Sequence, residues 1–337
     1  MRATREDVAR LAGVSCASVS YVLNRSRKMS LKTETAVLDA VKQLNYMPDM
    51  VARSMKKNET MQLSLMVNDI TNPFYGEIIE GFESAAIENG YFVNVCTGYR
   101  DINKYFDNYI ARRVDGLFVV ALPYKFDMDR LYRLTDNGIC VVVSGNAKAD
   151  ASKVSSIEND YVSAMETAVA YLTGLGHKKI AYISGLSKSH EFDQRIEGYL
   201  SALEARHIPV GDGLLMEGEP PFATGIQDGY EMTKRLLSSG KEFTALIALN
   251  DMMAMGAITA LREAGKSVPE DVSVMGFDDN IFDTAWIPSI TTMGFSKAAF
   301  GRRAFELLYR NITEGTTDSV VQKLSLIPRN STGPVKK

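Results

Sequence analysis

The chain has 337 residues, a hydrophobic fraction of 45% and a formal net charge of −3 at pH 7. This length predicts roughly two to three domains, and no run approaches the roughly 20 consecutive apolar residues of a membrane-spanning helix. The 3 cysteines are scattered without a CxxC pair, which argues against a disulfide framework and a thiolate metal site. The first residues, MRATREDVAR, lack the apolar core of a signal peptide, so we expect a cytoplasmic protein.

Charge is distributed unevenly along the chain. Residues 1–60 contain 11 Lys/Arg and 6 Asp/Glu, a balance of +5, whereas the remainder contains 27 and 35, a balance of −8. A basic segment on an acidic body indicates that the segment binds a polyanion such as nucleic acid. Chance clustering within a short window is the alternative.

The basic segment is predicted to form three short helices. Thr4 can cap the first helix, and Gly13 ends it. Ser15 can cap the second helix, and a third begins at Ser30. A helix, a glycine turn and a second helix are the elements of a helix-turn-helix motif.

The second predicted helix, 16–24, has an apolar side and a side of small or hydrogen-bonding residues when it is drawn at about 100° per residue. Short side chains allow its backbone to approach a groove, whereas long Lys or Glu side chains would hold it away. In a major groove, hydroxyl groups reach phosphates, while Tyr21 and the methyl group of Ala17 can contact base edges. The alternative is a helix that buries this side against the rest of the protein. The side consists of Cys16, Ala17, Ser20, Tyr21 and Asn24.

From Met61 onward, short apolar strands alternate with predicted helices. This alternation predicts parallel sheets covered by helices on both faces. The strands are too many for one mononucleotide-binding half, so we expect two similar doubly wound lobes that divide near Glu158–Asn159. The first series is QLSLMV, helix 74–89, YFVNVC, helix 103–113, GLFVVAL, helix 126–137 and ICVVVS; the second is helix 161–175, KIAYIS, helix 192–206, GLLME, helix 225–239, TALIAL, helix 251–264 and VSVMGF.

The last predicted elements, helix 296–313 and strand 319–326, are expected to cross back between the lobes. Ligands of open α/β sheets bind beyond the carboxyl ends of the strands. Two lobes that face each other therefore form a cleft suited to a small molecule.

Several segments resemble one known family. TREDVARLAGVSCASVSYVLN, followed by LNYMPDMVARSMKKNET, closely resembles the DNA-binding head of the lactose/galactose repressor (LacI/GalR) family. The resemblance covers nearly the whole chain and implies a small all-α helix-turn-helix head on an α/β two-lobed, periplasmic-binding-protein-like body. Further matching segments are VNDITNPFYGEIIEGFESAAIENGY, RRVDGLFV, GLGHKKIAYISG, RIEGYLSAL, ALNDMMAMGAI, VPEDVSVMGFDD and WIPSITTM.

The resemblance assigns roles in the head residue by residue. The second helix is expected in the major groove of DNA, where Cys16, Ala17 and Tyr21 match the positions that read bases. Cys16 and Ala17 are poor hydrogen-bonding groups, so readout is expected to depend on Tyr21 and on apolar contact with thymine methyl groups. The positions that match phosphate contacts are Thr4, Ser15, Ser18, Ser20, Asn24 and Ser30.

The segment PDMVARSMKKNE matches the hinge helix of the family, which inserts a leucine into the minor groove. Here Met55 occupies that position, with Ala52 and Arg53 beside it, and its apolar side chain remains suited to wedging. A loose linker is the alternative. The predicted division is a helix-turn-helix head at 1–47, a hinge helix or linker at 48–60 and a body at 61–333, with lobe 1 at about 61–158 and 290–317 and lobe 2 at about 159–287 and 318–333.

The resemblance also implies a set of effector-binding residues at the cleft. Arginine, asparagine and aspartate at strand ends suit a hydroxyl-rich ligand such as a sugar or its derivative. An aromatic ring can cover the apolar face of a sugar. A capped helix or a buried ion pair is the structural alternative for each position. The set is Asp69, Phe74, Tyr75, Arg195, Phe222, Asn250 and Asp278.

These observations predict a cytoplasmic transcriptional regulator, a repressor, that binds a palindromic DNA operator as a homodimer under allosteric control by a carbohydrate effector. Two alternatives are a carbon-catabolite-type regulator with a phosphorylated carrier protein as co-regulator and a solute-binding protein of a transporter. His190 and His207 have no serine or cysteine partner at a suggestive spacing. We therefore expect no enzyme and no catalytic residues. The scattered cysteines and the lack of a long apolar run further predict no cofactor, no metal site and no membrane partner.

Overall fold

A computed structural model describes residues 3–24, 26–47, 59–97, 101–120, 122, 126–145, 147–186, 194–211, 214–219 and 223–336. The chain divides into two units, Met1–Thr60 and Met61–Lys337, which we call the head and the body. The described part of the head contains three helices, and that of the body contains twelve strands and eight helices.

The head is built around three helices that share one small core. Val8, Val19 and Val37 each come from a different helix and are fully buried there. Because their apolar residues recur at helical spacing, each helix buries one side and leaves the other in solvent. The helices are α1 (Arg5–Ala12), α2 (Cys16–Asn24) and α3 (Leu31–Gln43).

Local signals fix the ends of the first head helix as the sequence predicts. The Thr4 hydroxyl accepts a hydrogen bond from the Asp7 backbone N–H at 3.2 Å, and the Asp7 carboxylate accepts one from the Thr4 N–H at 2.9 Å. This reciprocal pair is a capping box. Gly13 ends the helix with φ of 65°, a conformation that side chains disfavour.

The first sheet of the body is entirely parallel. Its central strands are almost entirely buried because helices cover both faces, which explains their continuous apolar runs. Register pairs Leu63 with Val93 on one side and with Gly116 on the other. The strands are β1 (Gln62–Met66), β2 (Phe92–Cys96), β3 (Gly116–Val120), β4 (Cys140–Ser144), β5 (Ser155–Asn159) and β11 (Ser319–Gln322), in the order β11-β5-β4-β3-β1-β2.

The second sheet has the same pattern, apart from an antiparallel edge. Strand β12 pairs antiparallel with β10, and the remaining pairs are parallel. The strands are β6 (Ile180–Ile183), β7 (Leu215–Met216), β8 (Ala245–Ala248), β9 (Ser273–Asp278), β10 (Thr291–Gly294) and β12 (Ser325–Ile327), in the order β12-β10-β9-β8-β6-β7.

Eight helices cover the two sheets. The apolar clusters lie on both faces of the first sheet, so this lobe is doubly wound as predicted. The helices are α4 (Phe74–Glu88), α5 (Ile102–Arg112), α6 (Met128–Asp136), α7 (Tyr161–Gly174), α8 (Arg195–Glu204), α9 (Ile226–Ser238), α10 (Asp251–Glu263) and α11 (Lys297–Glu314).

Two strands, β5 and β10, were not predicted, and the single predicted strand 319–326 is two strands, β11 and β12, that belong to different sheets. These differences change where the chain crosses between the lobes. Strand β5 alternates buried and half-buried residues, and β10 is a buried Thr-Thr-Met-Gly segment, so neither has a continuous apolar run. The predicted division put 290–317 in lobe 1 and 318–333 in lobe 2. Instead β10 belongs to the second sheet and β11 to the first, so the crossings follow Gly294 and Gln322.

The two helices that cover one face of the first sheet, α4 and α11, approach at glycines. A Cβ atom on Gly81 would lie 2.0 Å from the carbonyl oxygen of Ala298, and one on Gly301 would lie 2.1 Å from that of Ile78. No side chain fits at such distances. This contact fixes α4, which begins with Phe74 and Tyr75, against the helix that follows the crossing from the second sheet.

Candidate functional site

The predicted DNA-reading side of α2 lies in solvent within the head. Cys16, Ala17 and Tyr21 are exposed, whereas Val19 on the opposite side is fully buried. The Arg27 guanidinium carbon lies 5.8 Å from the centre of the Tyr21 ring, which is cation–π distance. The side that sequence analysis assigned to DNA is thus available to a partner, while its base-reading role stays a prediction.

Three of the predicted phosphate-contact residues are helix N-caps. Thr4 caps α1, the Ser15 hydroxyl accepts from the Ser18 N–H at 3.1 Å, and the Ser30 hydroxyl accepts from the Thr33 N–H at 3.2 Å. Helix N-termini carry partial positive charge and unpaired N–H groups, which suit phosphate oxygens. The same residues therefore fix the helix starts and mark positions favourable to anions.

Four predicted site residues lie outside the described residues. They are Ala52, Arg53 and Met55 of the predicted hinge and Phe222 of the predicted effector site. Their assigned roles stay predictions.

The body brings together predicted effector residues from both lobes. The Tyr75 hydroxyl, on α4 of the first lobe, is buried, and burial is the main reason that its pKa lies above the ordinary value. The nearby charges of Asp278 and Asp69 raise that pKa further, and Arg195 opposes them. Residues some 200 positions apart in the chain thus act on one hydroxyl group.

Tyr161 also belongs to this cluster, and sequence analysis missed it. The Arg195 guanidinium carbon lies 4.1 Å from the centre of the Tyr161 ring, and the Arg195 Nη1 donates to the Leu249 carbonyl at 3.0 Å. Tyr161 begins α7 immediately after its N-cap residue, Asp160. The available signal was an aromatic residue at the start of the predicted helix 161–175.

Asp278 combines burial, charge and an unusual backbone. It is 7% exposed and ends β9 with φ of 118°, and Asp279 follows with φ of 55°. Burial raises the pKa of Asp278 to about 7, with Arg195 and Lys297 lowering it and Asp283 raising it. Non-glycine residues in such conformations cluster at functional sites.

Two further carboxylates lie beneath this turn. Asp251 is fully buried, and burial together with the charge of Asp283 raises its pKa well above the ordinary range. Burial likewise raises the pKa of Asp283 to about 6, against the opposing hydrogen bond from Asp251. Both carboxylates accept a hydrogen bond from the Asn280 N–H at 2.9 Å. The effector turn therefore rests on a buried acidic layer.

Three other predicted effector residues have partners within the protein. Asn250 caps α10, since its Oδ1 accepts from the Met253 N–H at 2.8 Å and its Nδ2 donates to the Thr224 carbonyl at 3.0 Å. The exposed Asp69 accepts at Oδ1 from the Thr71 N–H at 2.9 Å. The Phe74 ring is half-buried, with its centre 5.2 Å from that of Tyr75. Asn250 thus shows the capping arrangement that was its structural alternative.

The comparisons with known proteins match both parts of the chain. The model described as "Bacterial regulatory proteins, lacI family" matches residues 4–49, and that of the periplasmic binding protein-like domain matches residues 169–332. The HTH-type transcriptional repressor PurR of Haemophilus influenzae (strain PittEE) is 37% identical over 332 residues, which cover 96% of this chain and 95% of the relative. The chain belongs to the lacI family of bacterial regulatory proteins. PurR of Pasteurella multocida (strain Pm70) is 35% identical over 327 residues, 95% of each chain.

Solved structures agree with this assignment. The lac repressor dimer bound to operator and the anti-inducer ONPF superposes with a TM-score of 0.84 at 25% identity, over 99% of this chain and 100% of that one. The transcriptional regulator CelR in complex with cellobiose gives a TM-score of 0.73 at 28% identity, over 98% of this chain and 100% of that one. The predicted family and fold class are confirmed.

This lacI-family protein is a DNA-binding transcriptional repressor with an effector-binding body, and it belongs among regulators rather than enzymes. The helix-turn-helix head likewise separates it from solute-binding proteins of transporters, which was one of the two alternatives. Within the described ranges, no helix has the length and apolar character needed to cross a membrane.

Proposed function

We propose that this repressor binds a palindromic operator as a homodimer and that a small molecule in the cleft between the lobes controls the binding. The observation that carries the proposal is that the buried Tyr75 of the first lobe lies within electrostatic reach of Arg195 and Asp278 of the second. Because a ligand there contacts both lobes, it favours one arrangement of the lobes over another. A coupling of about 1–3 kcal/mol corresponds to a roughly 5- to 150-fold change in operator affinity.

The head supports the DNA-binding half of the proposal. Helix α2 enters the major groove, Cys16, Ala17 and Tyr21 contact bases, and the capping hydroxyls at the helix starts contact phosphates. Two heads related by a two-fold axis read two half-sites of a palindrome. The exposed, uncharged side of α2 supports this arrangement.

The hinge is proposed at 48–60, with Met55 as the minor-groove wedge. Met55→Gly removes the apolar wedge and is expected to weaken specific operator binding more than about tenfold, which corresponds to about 1.4 kcal/mol. Effector affinity, measured by calorimetry, stays nearly unchanged because the cleft lies in the body. Operator binding equal to that of the wild type would contradict the wedge role.

Exposed apolar side chains support a homodimer. Ile281, Phe282 and Ile287 are 60%, 47% and 79% exposed within one short segment after β9. Monomeric proteins rarely leave such groups together in solvent. Analytical sedimentation of the full chain is expected to give twice the monomer mass. A monomer mass at micromolar concentration would contradict the dimer.

For the effector, we propose a neutral ring compound with several hydrogen-bonding groups, a sugar in the first instance. Arg195 donates hydrogen bonds, the Asp278 carboxylate accepts them, and Phe74 and Tyr75 offer aromatic surface to a ring. Cellobiose and ribose are the ligands of two structural neighbours. The name PurR of the relatives favours a purine as the second candidate. A purine presents ring N–H donors to a carboxylate and a flat face to an aromatic wall.

The test is a gel shift of the full chain on DNA from its own promoter, with and without ribose, cellobiose, guanine and hypoxanthine. One compound is expected to change the operator affinity at least fivefold. Arg195→Ala is the control, because it removes a cleft donor without touching the head, and it is expected to bind DNA normally without responding. A normal calorimetric titration of that variant would remove Arg195 from the site.

One outcome would favour the alternative co-regulator. If no small molecule changes operator binding, but a phosphorylated carrier protein does, the chain is a carbon-catabolite-type regulator. If the wild type binds no promoter DNA at low salt, where phosphate contacts are strongest, the proposed function fails altogether. The protein is proposed to act in the cytoplasm, where its DNA partner lies.

A further inference from the structure

Lys297 is a buried cation at an unfavourable place in a helix. It is the first residue of α11 and only 2% exposed, and a positive charge in the first turn opposes the helix dipole. A buried ammonium group needs partners for its hydrogens. Its Nζ donates to the carbonyl oxygens of Asp278 at 2.9 Å and Asp279 at 2.6 Å, and it lies 3.2 Å from Oε1 of Glu77.

The two carbonyl groups belong to the strained turn that follows β9. Asp278 and Asp279 have φ of 118° and 55°, a combination that side chains disfavour. Such conformations persist only where the surroundings hold them. The ammonium group of Lys297 provides part of that hold, because it binds two successive carbonyl oxygens of the turn at once. The rest comes from the Asn280 N–H, which donates to Asp251 and Asp283, and from the ion pair between Arg329 and the Asp279 carboxylate.

The third partner connects the turn to the other lobe. Glu77 lies on α4, two residues after Tyr75, which is part of the proposed effector cluster. Lys297 itself follows the crossing from β10, in the second sheet, to α11, which packs against α4. One ammonium group thus joins the backbone of the Asp278 turn in the second lobe to the helix that carries the aromatic wall of the first.

We propose that Lys297 is a positioning residue for the effector site: its ammonium group holds the Asp278–Asp279 turn in the conformation that presents the Asp278 carboxylate to the effector, and it ties that turn to α4 through Glu77. Ligand contact at Asp278 is thereby transmitted to the first lobe. This role rests on the proposed effector site, whereas the mechanical link between turn and helix stands without it.

The first test needs no effector. Amide hydrogen exchange of the full chain is compared between wild type and Lys297→Met, which keeps the chain length without the charge. Exchange is expected to rise at least fivefold both in 279–285 and in 74–80. Glu77→Gln removes the charge of the more exposed partner of the ion pair. This variant is expected to raise amide exchange at 74–80 and to have a smaller effect at the turn.

Arg302→Met is the matched control. Arg302 and Glu88 form another ion pair between α11 and α4, at 2.8 and 3.0 Å; it is exposed, and Arg302 lies five residues beyond Lys297 on α11. This variant is expected to leave exchange at 279–285 unchanged. If Lys297→Met alters only the turn, or neither segment, the link to the first lobe is refuted; if Arg302→Met has the same effect as Lys297→Met, general loosening of α11 explains the result.

The second test uses the compound, among ribose, cellobiose, guanine and hypoxanthine, that binds the wild type. Lys297→Met is expected to lower its calorimetric affinity at least tenfold and to leave effector-free operator binding within twofold. The pH midpoint of effector binding is expected to rise, because Lys297 is one of the cations that favour ionised Asp278. The other groups that face Asp278 are Arg195, Asp251, Asp283 and Tyr75, and they are the same in both proteins.

A merely structural role would weaken binding without moving that midpoint, and this result would overturn the positioning role. Lys297→Arg keeps a cation and its donors, and it is expected to recover at least part of the affinity. If the wild type binds promoter DNA but none of the four compounds, the proposed effector class fails, and the exchange experiment alone decides the role of Lys297.

Discussion

Replacing Asp278 by asparagine is expected to stabilise the effector-free protein at neutral and alkaline pH while abolishing its effector response. Burial raises the pKa of this carboxyl from 3.8 to about 7 in the folded protein. Because this pKa is higher in the folded than in the unfolded protein, the contribution of Asp278 to the free energy of unfolding is fully present below the pKa of the unfolded state. That contribution is lost as the pH rises through the pKa of the folded state. Since asparagine does not ionise, the variant escapes that loss.

The expected magnitude follows from the two pKa values. Between about pH 5 and the pKa of the folded state, the Asp278 carboxyl is ionised in the unfolded protein but keeps its proton in the folded protein. The free energy of unfolding of the wild type therefore falls by about 1.4 kcal/mol for each pH unit. The free energy of unfolding of Asp278→Asn, relative to wild type, should therefore increase by about 3 kcal/mol between about pH 5 and pH 8. Urea unfolding followed by circular dichroism at each pH measures this difference, and titratable groups beyond the reach of Asp278 contribute equally to both proteins.

Glu88→Gln is the control for this experiment. A hydrogen bond from Arg302 lowers the pKa of Glu88 in the folded protein. Glu88 therefore contributes to stability above its pKa in the unfolded state, and this contribution is lost as the pH falls through its pKa in the folded state. Its effect on stability should be constant from about pH 5 to pH 8 and should shrink in more acidic solution. A pH-independent difference for Asp278→Asn, or one that decreases toward pH 8, would refute the reasoning about Asp278.

Two further predictions concern packing and capping. Gly81→Ala places a Cβ 2.0 Å from the Ala298 carbonyl oxygen and is expected to lower the free energy of unfolding in urea by about 1–3 kcal/mol or more. Gly76→Ala in the same helix meets no atom within 4 Å and should be neutral or stabilising. Equal effects of the two substitutions would contradict the close helix contact. Thr4→Ala removes the capping box with Asp7 and should raise amide exchange in α1 by an amount equivalent to about 1 kcal/mol, with Thr4→Ser restoring protection. Unchanged exchange in the alanine variant would show that the cap is dispensable.

Much of the fold could be predicted because its signals are local. The capping residue Thr4 and the turn at Gly13 act within a few positions, and the helical spacing of apolar residues within each head helix is visible in the sequence itself. In the body, continuous apolar runs predict buried parallel strands because such strands are covered on both faces. The family resemblance then predicted the residues of both functional surfaces. The family assignment is confirmed, and the roles of those residues stay predictions.

The strands β5 and β10 could not be predicted, because tertiary contacts stabilise them. Thr291 and Thr292 are fully buried, yet they are polar residues that strand patterns do not place in a core. Thr291 Oγ1 lies 2.8 Å from Thr332 Oγ1, and the Thr292 hydroxyl donates to Asp251 at 2.7 Å. Partners some 40 residues away satisfy these hydroxyl groups, and no local pattern shows them.

The sequence by itself determined the head, the alternating body and the types of residue available for DNA and effector. Only the tertiary structure decided which of those residues meet. It engaged Asn250 as a helix cap, brought Tyr161 under Arg195, and put Lys297 beneath the Asp278 turn. The physical reason is range: caps and periodicity act over a few residues, whereas burial and charge act between groups that the fold brings together from distant parts of the chain.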